Sequence, residues 1–340
     1  MNAENMNAEK WISEAIAAKA KTPMPVLSFP GVQIIGKSVS ELVRDGALQA
    51  RCMKAIADRY ETLAAVTLMD LSVEAEAFGA PIAFSEMEVP TVTGRIVEDE
   101  TGANGLGIPD VGAGRTGEYA KTVREAKKLI ADRPVLAGAI GPFSLAGRLL
   151  DMTEIMVLSI TEPDTVRAML EKTSKFIVAY VGALKSAGAD GVIFAEPAAG
   201  LLSPLLNREF SAKYMREIVA AVKDEHFAVI YHNCGNTIPL IEDILAIGAH
   251  GLHFGNAIKL SDMLPLVPPD VAVFGNIDPA RQFRNGTPES VRESTLETLA
   301  ACAAYPNYIP SSGCDIPAQT PLENIDAFFG AVAEFYANPH

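Results

Sequence analysis

Cysteine and tryptophan are scarce in this chain, with four and one in 340 residues. The cysteines, at positions 52, 234, 302 and 314, do not fall into the closely spaced pairs of a disulfide framework. No apolar run reaches the roughly 20 residues that a membrane helix needs. Residues 1–10 are polar and lack the apolar core of a signal peptide. The expectation is a cytoplasmic protein with no membrane partner. Positive charge is also in short supply: 28 Lys and Arg stand against 42 Asp and Glu, a net charge of −14. With no basic cluster, nucleic acid is not an expected partner. No Gly-x-Gly-x-x-Gly follows the first strand-like run, which argues against a dinucleotide-binding sheet.

What is present is apolar and periodic. Hydrophobic residues make up 49%, enough for a large core. Eight short apolar runs read as strands: Pro25–Pro30, Ala65–Leu71, Pro134–Gly141, Gly191–Glu196, Phe227–Tyr231, Gly251–Gly255, Val271–Gly275 and Asn307–Ile309. Helical spacing fills most of the gaps, over residues 38–61, 116–131, 143–160, 164–187, 207–223, 239–247, 289–304 and 322–336. The pattern predicts a single (β/α)8 barrel over residues 1–340, with a doubly wound open sheet as the alternative. Residues 1–22 are expected to form an N-terminal helical extension. Residues 79–115 are rich in Gly and Pro and break the rhythm after the second strand. They read as an insertion that includes a hairpin or edge strand and serves as a lid.

The chemistry concentrates on Tyr231-His232-Asn233-Cys234-Gly235-Asn236. Side chains two apart on a strand share a side, so His232 and Cys234 point together. An imidazole beside a thiolate suits zinc, which then needs a third ligand. Cys314, in Ser311-Ser312-Gly313-Cys314-Asp315 after another strand-like run, is the candidate. Cys52 and Cys302 lie in helical patterns and read as small buried hydrophobes. In a barrel, residues following the strands converge on one mouth. That adds Asp70, Glu196, His253 with Asn256, Asn236, Asn276 with Asp278, and Asp315. Each has a plainer reading: Asp278 as a helix cap before Pro279, His253 as a hydrogen-bonded core histidine, Glu196 as a loop acid facing solvent. His250 is expected at a strand start, facing solvent.

At these residues the chain resembles the uroporphyrinogen decarboxylase superfamily, most closely its corrinoid-dependent methyltransferase branch. The resemblance runs from about Pro25 onward. It is carried by Tyr231–Thr237, by Gly275-Asn276-Ile277-Asp278-Pro279, by Ser311–Pro317 and by Thr320–Asn324. It implies a barrel that binds zinc through His232, Cys234 and Cys314. Glu196, Asp70 and His253 become candidate catalytic residues, and Asn236, Asn256, Asn276 and Asp278 candidate cofactor-binding residues. Residues 26–37 have no counterpart of the decarboxylase's arginine-rich, porphyrin-binding segment. The chain has no Asp-x-His-x-x-Gly pattern for holding cobalamin, so the corrinoid is expected on a separate partner protein. The implied reaction moves a methyl group between that corrinoid and a small-molecule donor or acceptor. The coenzyme M members carry an acidic run after the sixth strand, where this chain has His253-Phe254-Gly255-Asn256. That departure favours a methoxylated aromatic or other methyl ether as donor, with a thiol acceptor as the alternative and a decarboxylase-like lyase third. A homodimer is compatible with the reading.

Overall fold

A computed structural model describes residues 6–337. Nine strands occur among them: β1 (Ala65–Val66), β2 (Ile82–Ala83), β3 (Thr91–Val92), β4 (Val135–Ile140), β5 (Gly191–Ala195), β6 (Ala228–Asn233), β7 (Gly251–Phe254), β8 (Ala272–Ile277) and β9 (Tyr308–Ser312). Seven form one parallel sheet in the order β1-β4-β5-β6-β7-β8-β9. The eighth barrel position is taken by residues 23–26. Leu63 N–H donates to the Pro23 carbonyl on one side, and Met24 N–H donates to the Pro310 carbonyl (2.9 Å) on the other. Prolines 23 and 25 have no N–H to give. The segment therefore closes the barrel through isolated bonds rather than a regular ladder, and one of these is Val26 N–H to Ser312 Oγ.

Side-chain parity divides the core. Val66, Ile193, Ala195, Ala228, Ile230, Phe274 and Ile309 point into the barrel, where Trp11 and Ile12 of the helix Ala8–Ala17 join them. Their neighbours in sequence, such as Val192, Phe194, Val229, Tyr231, Leu252 and Val273, face the surrounding helices. Burying each such side chain contributes about 1.5–3 kcal/mol. The N-terminal helix thus closes the end of the barrel where the strands begin.

Two expected helices are broken. The 38–61 pattern is split at Asp45, whose carboxylate accepts from the N–H groups of Ala47 and Leu48 and starts a new helix, Gly46–Arg59. The 143–160 pattern is split at Asp151, which adopts a φ of 91° and caps Met152–Thr161 after Pro142–Leu150 ends. Within 79–115 the antiparallel pair β2–β3 forms a hairpin and Glu100–Gly105 a short helix.

Candidate metal centre

Register and parity build the site. On β6 the inward positions run Ala228, Ile230, His232. Parallel pairing sets His232 directly against His253 of β7, and Asn276 of β8 against Ser311 of β9. His232 and His253 are buried at the C-terminal end of the barrel. Cys234 follows β6 by one residue and Cys314 follows β9 by two. One ligand atom each from His232, Cys234 and Cys314 lie within 4.8 Å of one another, and Cys314 Sγ is 3.6 Å from His232 Nε2. Zinc with bonds of about 2.0–2.3 Å bridges such a span with small movement. Two sulfurs and one imidazole nitrogen are the donor types that zinc selects.

The hydrogen bonds around His232 run in one direction. Ser311 Oγ lies 2.7 Å from the Met24 carbonyl, which can only accept, so the Ser311 hydroxyl donates there. Ser311 Oγ then accepts from His253 Nε2 at 2.9 Å. Burial, with the nearby His232 adding to it, holds His253 well below the usual histidine range, so its Nδ1 carries a lone pair. That lone pair accepts from His232 Nδ1 at 2.7 Å. The His232 Nε2 lone pair is left facing the cysteines. Between the two thiols, the hydrogen bond donated by Cys314 pulls Cys234 down, and the same contact together with burial pushes Cys314 up. The contact favours the thiolate, the form that binds metal, on Cys234 over Cys314.

The other expected residues fall elsewhere. Glu196 takes the outward parity of Val192 and Phe194 and is fully buried, not solvent-facing. Its carboxylate accepts from Phe143 N–H (3.1 Å) and Ser144 N–H (2.6 Å), at the start of the helix Pro142–Leu150. Burial pushes its pKa up to about 7. Gly141 is required beside it, because a Cβ there would lie 2.3 Å from Glu196 Oε2. Asp70 is enclosed by Arg115 Nη1, Tyr119 OH (2.9 Å) and the Ser72 hydroxyl, and Arg115 also reaches Glu76 at 2.6 Å. Neither acid joins the three ligand atoms.

Three of the four candidate cofactor residues tie together the loops after β7 and β8. Asn276 Nδ2 donates to the Gly255 and Ile258 carbonyls at 2.9 Å each. Asn256 Nδ2 donates to Asp278 Oδ2 at 2.9 Å. The other oxygen of Asp278 caps Pro279–Arg284 through the N–H groups of Ala280 and Arg281. Asn236 is exposed. His250 does precede β7 but is buried, its Nδ1 accepting from Val229 N–H at 3.0 Å. Sequence reasoning missed Ser311, Arg115 and Glu74. The one signal available was the inward parity that Ser311 shares with Ile309. A cavity of about 710 Å³ opens at the opposite end, beneath Trp11, Arg59 and Arg133, and holds none of the candidate residues.

The family model for uroporphyrinogen decarboxylase (URO-D) matches residues 24–335. The chain belongs to that family. Its relatives include a methylcobamide:CoM methyltransferase MtbA of Methanosarcina acetivorans, 28% identical over 75% of each chain. They also include a uroporphyrinogen decarboxylase of Neisseria meningitidis, 30% identical over 72% of this chain and 70% of that one. A solved methyltransferase from Methanosarcina mazei superposes with a TM-score of 0.85 at 23% identity, over 97% of this chain and 99% of that one. That likeness establishes the barrel fold. Within the uroporphyrinogen decarboxylase family, sequence distance alone does not separate the two activities, so the site must.

Proposed function

We propose that this chain is a zinc-dependent corrinoid methyltransferase that moves a methyl group between the cobalt of a partner corrinoid protein and a thiol. The convergence of His232, Cys234 and Cys314 carries the reading. Three protein ligands leave one zinc position for substrate, the arrangement of a catalytic rather than a structural site. Porphyrin decarboxylation fits less well. Lys37 is the one basic residue in 26–37, and Asp70 is already neutralised by Arg115. The thiol is preferred over the methyl ether favoured by sequence alone because two relatives at 28% identity are methylcobamide:CoM methyltransferases. The ether remains the second reading, on the absence of an acidic run after β7.

Zinc, when bound, acts as a mild Lewis acid that keeps a substrate thiol ionised near neutral pH. His232 presents Nε2 to the centre, while Cys234 and Cys314 supply the two negative charges. Gly255 lets the loop after β7 close against Cys234, and Gly313 lets the loop after β9 close against Asn256. The corrinoid comes from the partner at the open mouth. Residues 79–115 act as a lid, fixed at their end by Arg115. No helix among the described residues is long and apolar enough to cross a membrane.

The test pairs zinc content with an optical assay. The chain is mixed with methylcobalamin and thiols, and separately with cob(I)alamin and methoxylated aromatics. About one zinc per chain, lost in Cys314→Ala, with methylcobalamin consumed by a thiol, is the expected result. Methylation of cob(I)alamin by an ether would favour the second reading, and a chain without zinc would end both.

A further inference from the structure

We propose that His253 is a positioning residue for the metal centre: it accepts the Nδ1 proton of His232 and so aims the His232 Nε2 lone pair at Cys234 and Cys314. This rests on the zinc reading above and assigns His253 an indirect role rather than contact with substrate.

The geometry points to a relay with one polarity. Its far end is the Met24 carbonyl, on the segment that closes the barrel, 2.7 Å from Ser311 Oγ. A carbonyl has no proton to give, so Ser311 donates outward and accepts from His253 Nε2. His253 then has its Nδ1 free to accept from His232 Nδ1. With the relay reversed, His232 would carry its proton on Nε2, aimed at Cys314 Sγ 3.6 Å away, where it would block a metal. A metal-binding histidine needs its second nitrogen held in this way. Packing alone does not account for the residue. His253 is fully buried in the interior tier, where an unpaired polar ring is costly and a leucine would fill the space. Both of its nitrogens have partners, and those partners lie on the two sides that the relay requires. The direct pairing of His232 with His253 in the β6–β7 register makes the contact a property of the barrel rather than of a loop.

The test uses the full chain with His253→Leu, His253→Gln and Ser311→Ala. Zinc affinity is measured by competition with a chelator, and the His232 tautomer by nitrogen-15 NMR of the zinc-loaded protein. A glutamine oxygen can still accept from His232, whereas leucine cannot. The expected result is zinc binding about 10–100-fold weaker in His253→Leu, most of that loss recovered in His253→Gln, and a proton on His232 Nδ1 in the wild type. Ser311→Ala should weaken zinc binding and mix the tautomers. Equal zinc affinity in wild type and His253→Leu would overturn the positioning role, as would a glutamine variant no better than leucine. If His253→Leu fails to fold, the wild-type tautomer and Ser311→Ala decide: a proton on His232 Nε2 overturns the proposal. A wild-type chain that takes up no zinc would overturn the zinc reading itself, and the positioning role with it.

Discussion

Gly255 and Cys234 meet backbone to backbone: a Cβ on Gly255 would lie 2.5 Å from the Cys234 Cα and 2.6 Å from its Cβ. No rotamer relieves such a contact, so Gly255→Ala must displace the loop that carries Cys234. The expected cost is about 1–3 kcal/mol of stability, typical of overpacking, together with weaker zinc binding. Gly330→Ala is the control. It lies in the helix Leu322–Ala337 with open space at its Cβ, and should gain about 0.5–1 kcal/mol with zinc binding unchanged. Urea denaturation and a zinc titration read both. Normal zinc affinity in Gly255→Ala would remove the glycine from the account of the site.

Thiol reactivity should divide the four cysteines. Burial pushes Cys52 and Cys302 up to about 12 each, and both are fully enclosed in helices. Cys234 is half-buried and is held toward the thiolate by the Cys314 thiol. In metal-free folded protein, iodoacetamide should label Cys234 first, and added zinc should protect it. Peptide mapping by mass spectrometry reads the order. Labelling of Cys52 or Cys302 at a comparable rate would contradict it.

Much of the site was legible before the structure because it depends on parity, which the sequence carries. His232 and Cys234 stand two apart at a strand end, and Cys314 follows another strand. Closure of the barrel then brings them together. What escaped depends on register and on three-dimensional neighbours. That His253 faces His232, and that Ser311 faces the Met24 carbonyl, follow from strand alignments that no local pattern encodes. Glu196 was placed at the mouth by its position after β5, but its parity turns it outward onto the start of the helix Pro142–Leu150. The helix breaks at Asp45 and Asp151 escaped for a related reason. Apolar spacing continues across both residues, and only their capping bonds show that the chain has turned.

Arg115 ties the end of the insertion to the barrel. Its Nε meets Glu76, its Nη1 Asp70 and its Nη2 Ser72 Oγ, and its guanidinium lies 5.0 Å from the centre of the Phe84 ring. The Asp70 side chain is 0% exposed, so Arg115→Met leaves a buried carboxylate without its cation. About 3–5 kcal/mol should be lost, and proteases should gain access within residues 79–115. Arg115→Lys should recover little, since an ammonium cannot span three partners in fork geometry. The double variant Arg115→Met with Asp70→Asn should lose less than the single Arg115→Met. Denaturation and limited proteolysis measure the series. An unchanged cleavage pattern would argue against the latch.

Glu74 makes stability depend on pH. It is buried, and its carboxylate accepts from Ile140 N–H at 3.0 Å. Burial pushes its pKa up to about 7, the Asp70 charge adds to the rise, and Ile140 N–H and Arg148 oppose it. An unfolded glutamate titrates near 4.3, so the native chain binds this proton more tightly than the unfolded one. The resulting stabilisation is fully present below about pH 4.3 and is lost as pH rises through about 7, roughly 3–4 kcal/mol in all. Glu196, raised in the same direction, contributes a parallel slope in wild type and variant alike, and cancels in their difference. Glu74→Gln keeps an oxygen for Ile140 N–H but cannot titrate. The stability of wild type minus that of Glu74→Gln should therefore fall steadily between pH 5 and pH 7 and level off above pH 8. Urea denaturation at each pH gives that difference directly. A flat difference would mean that Glu74 stays ionised in the folded chain, with Arg148 rather than a proton balancing its charge.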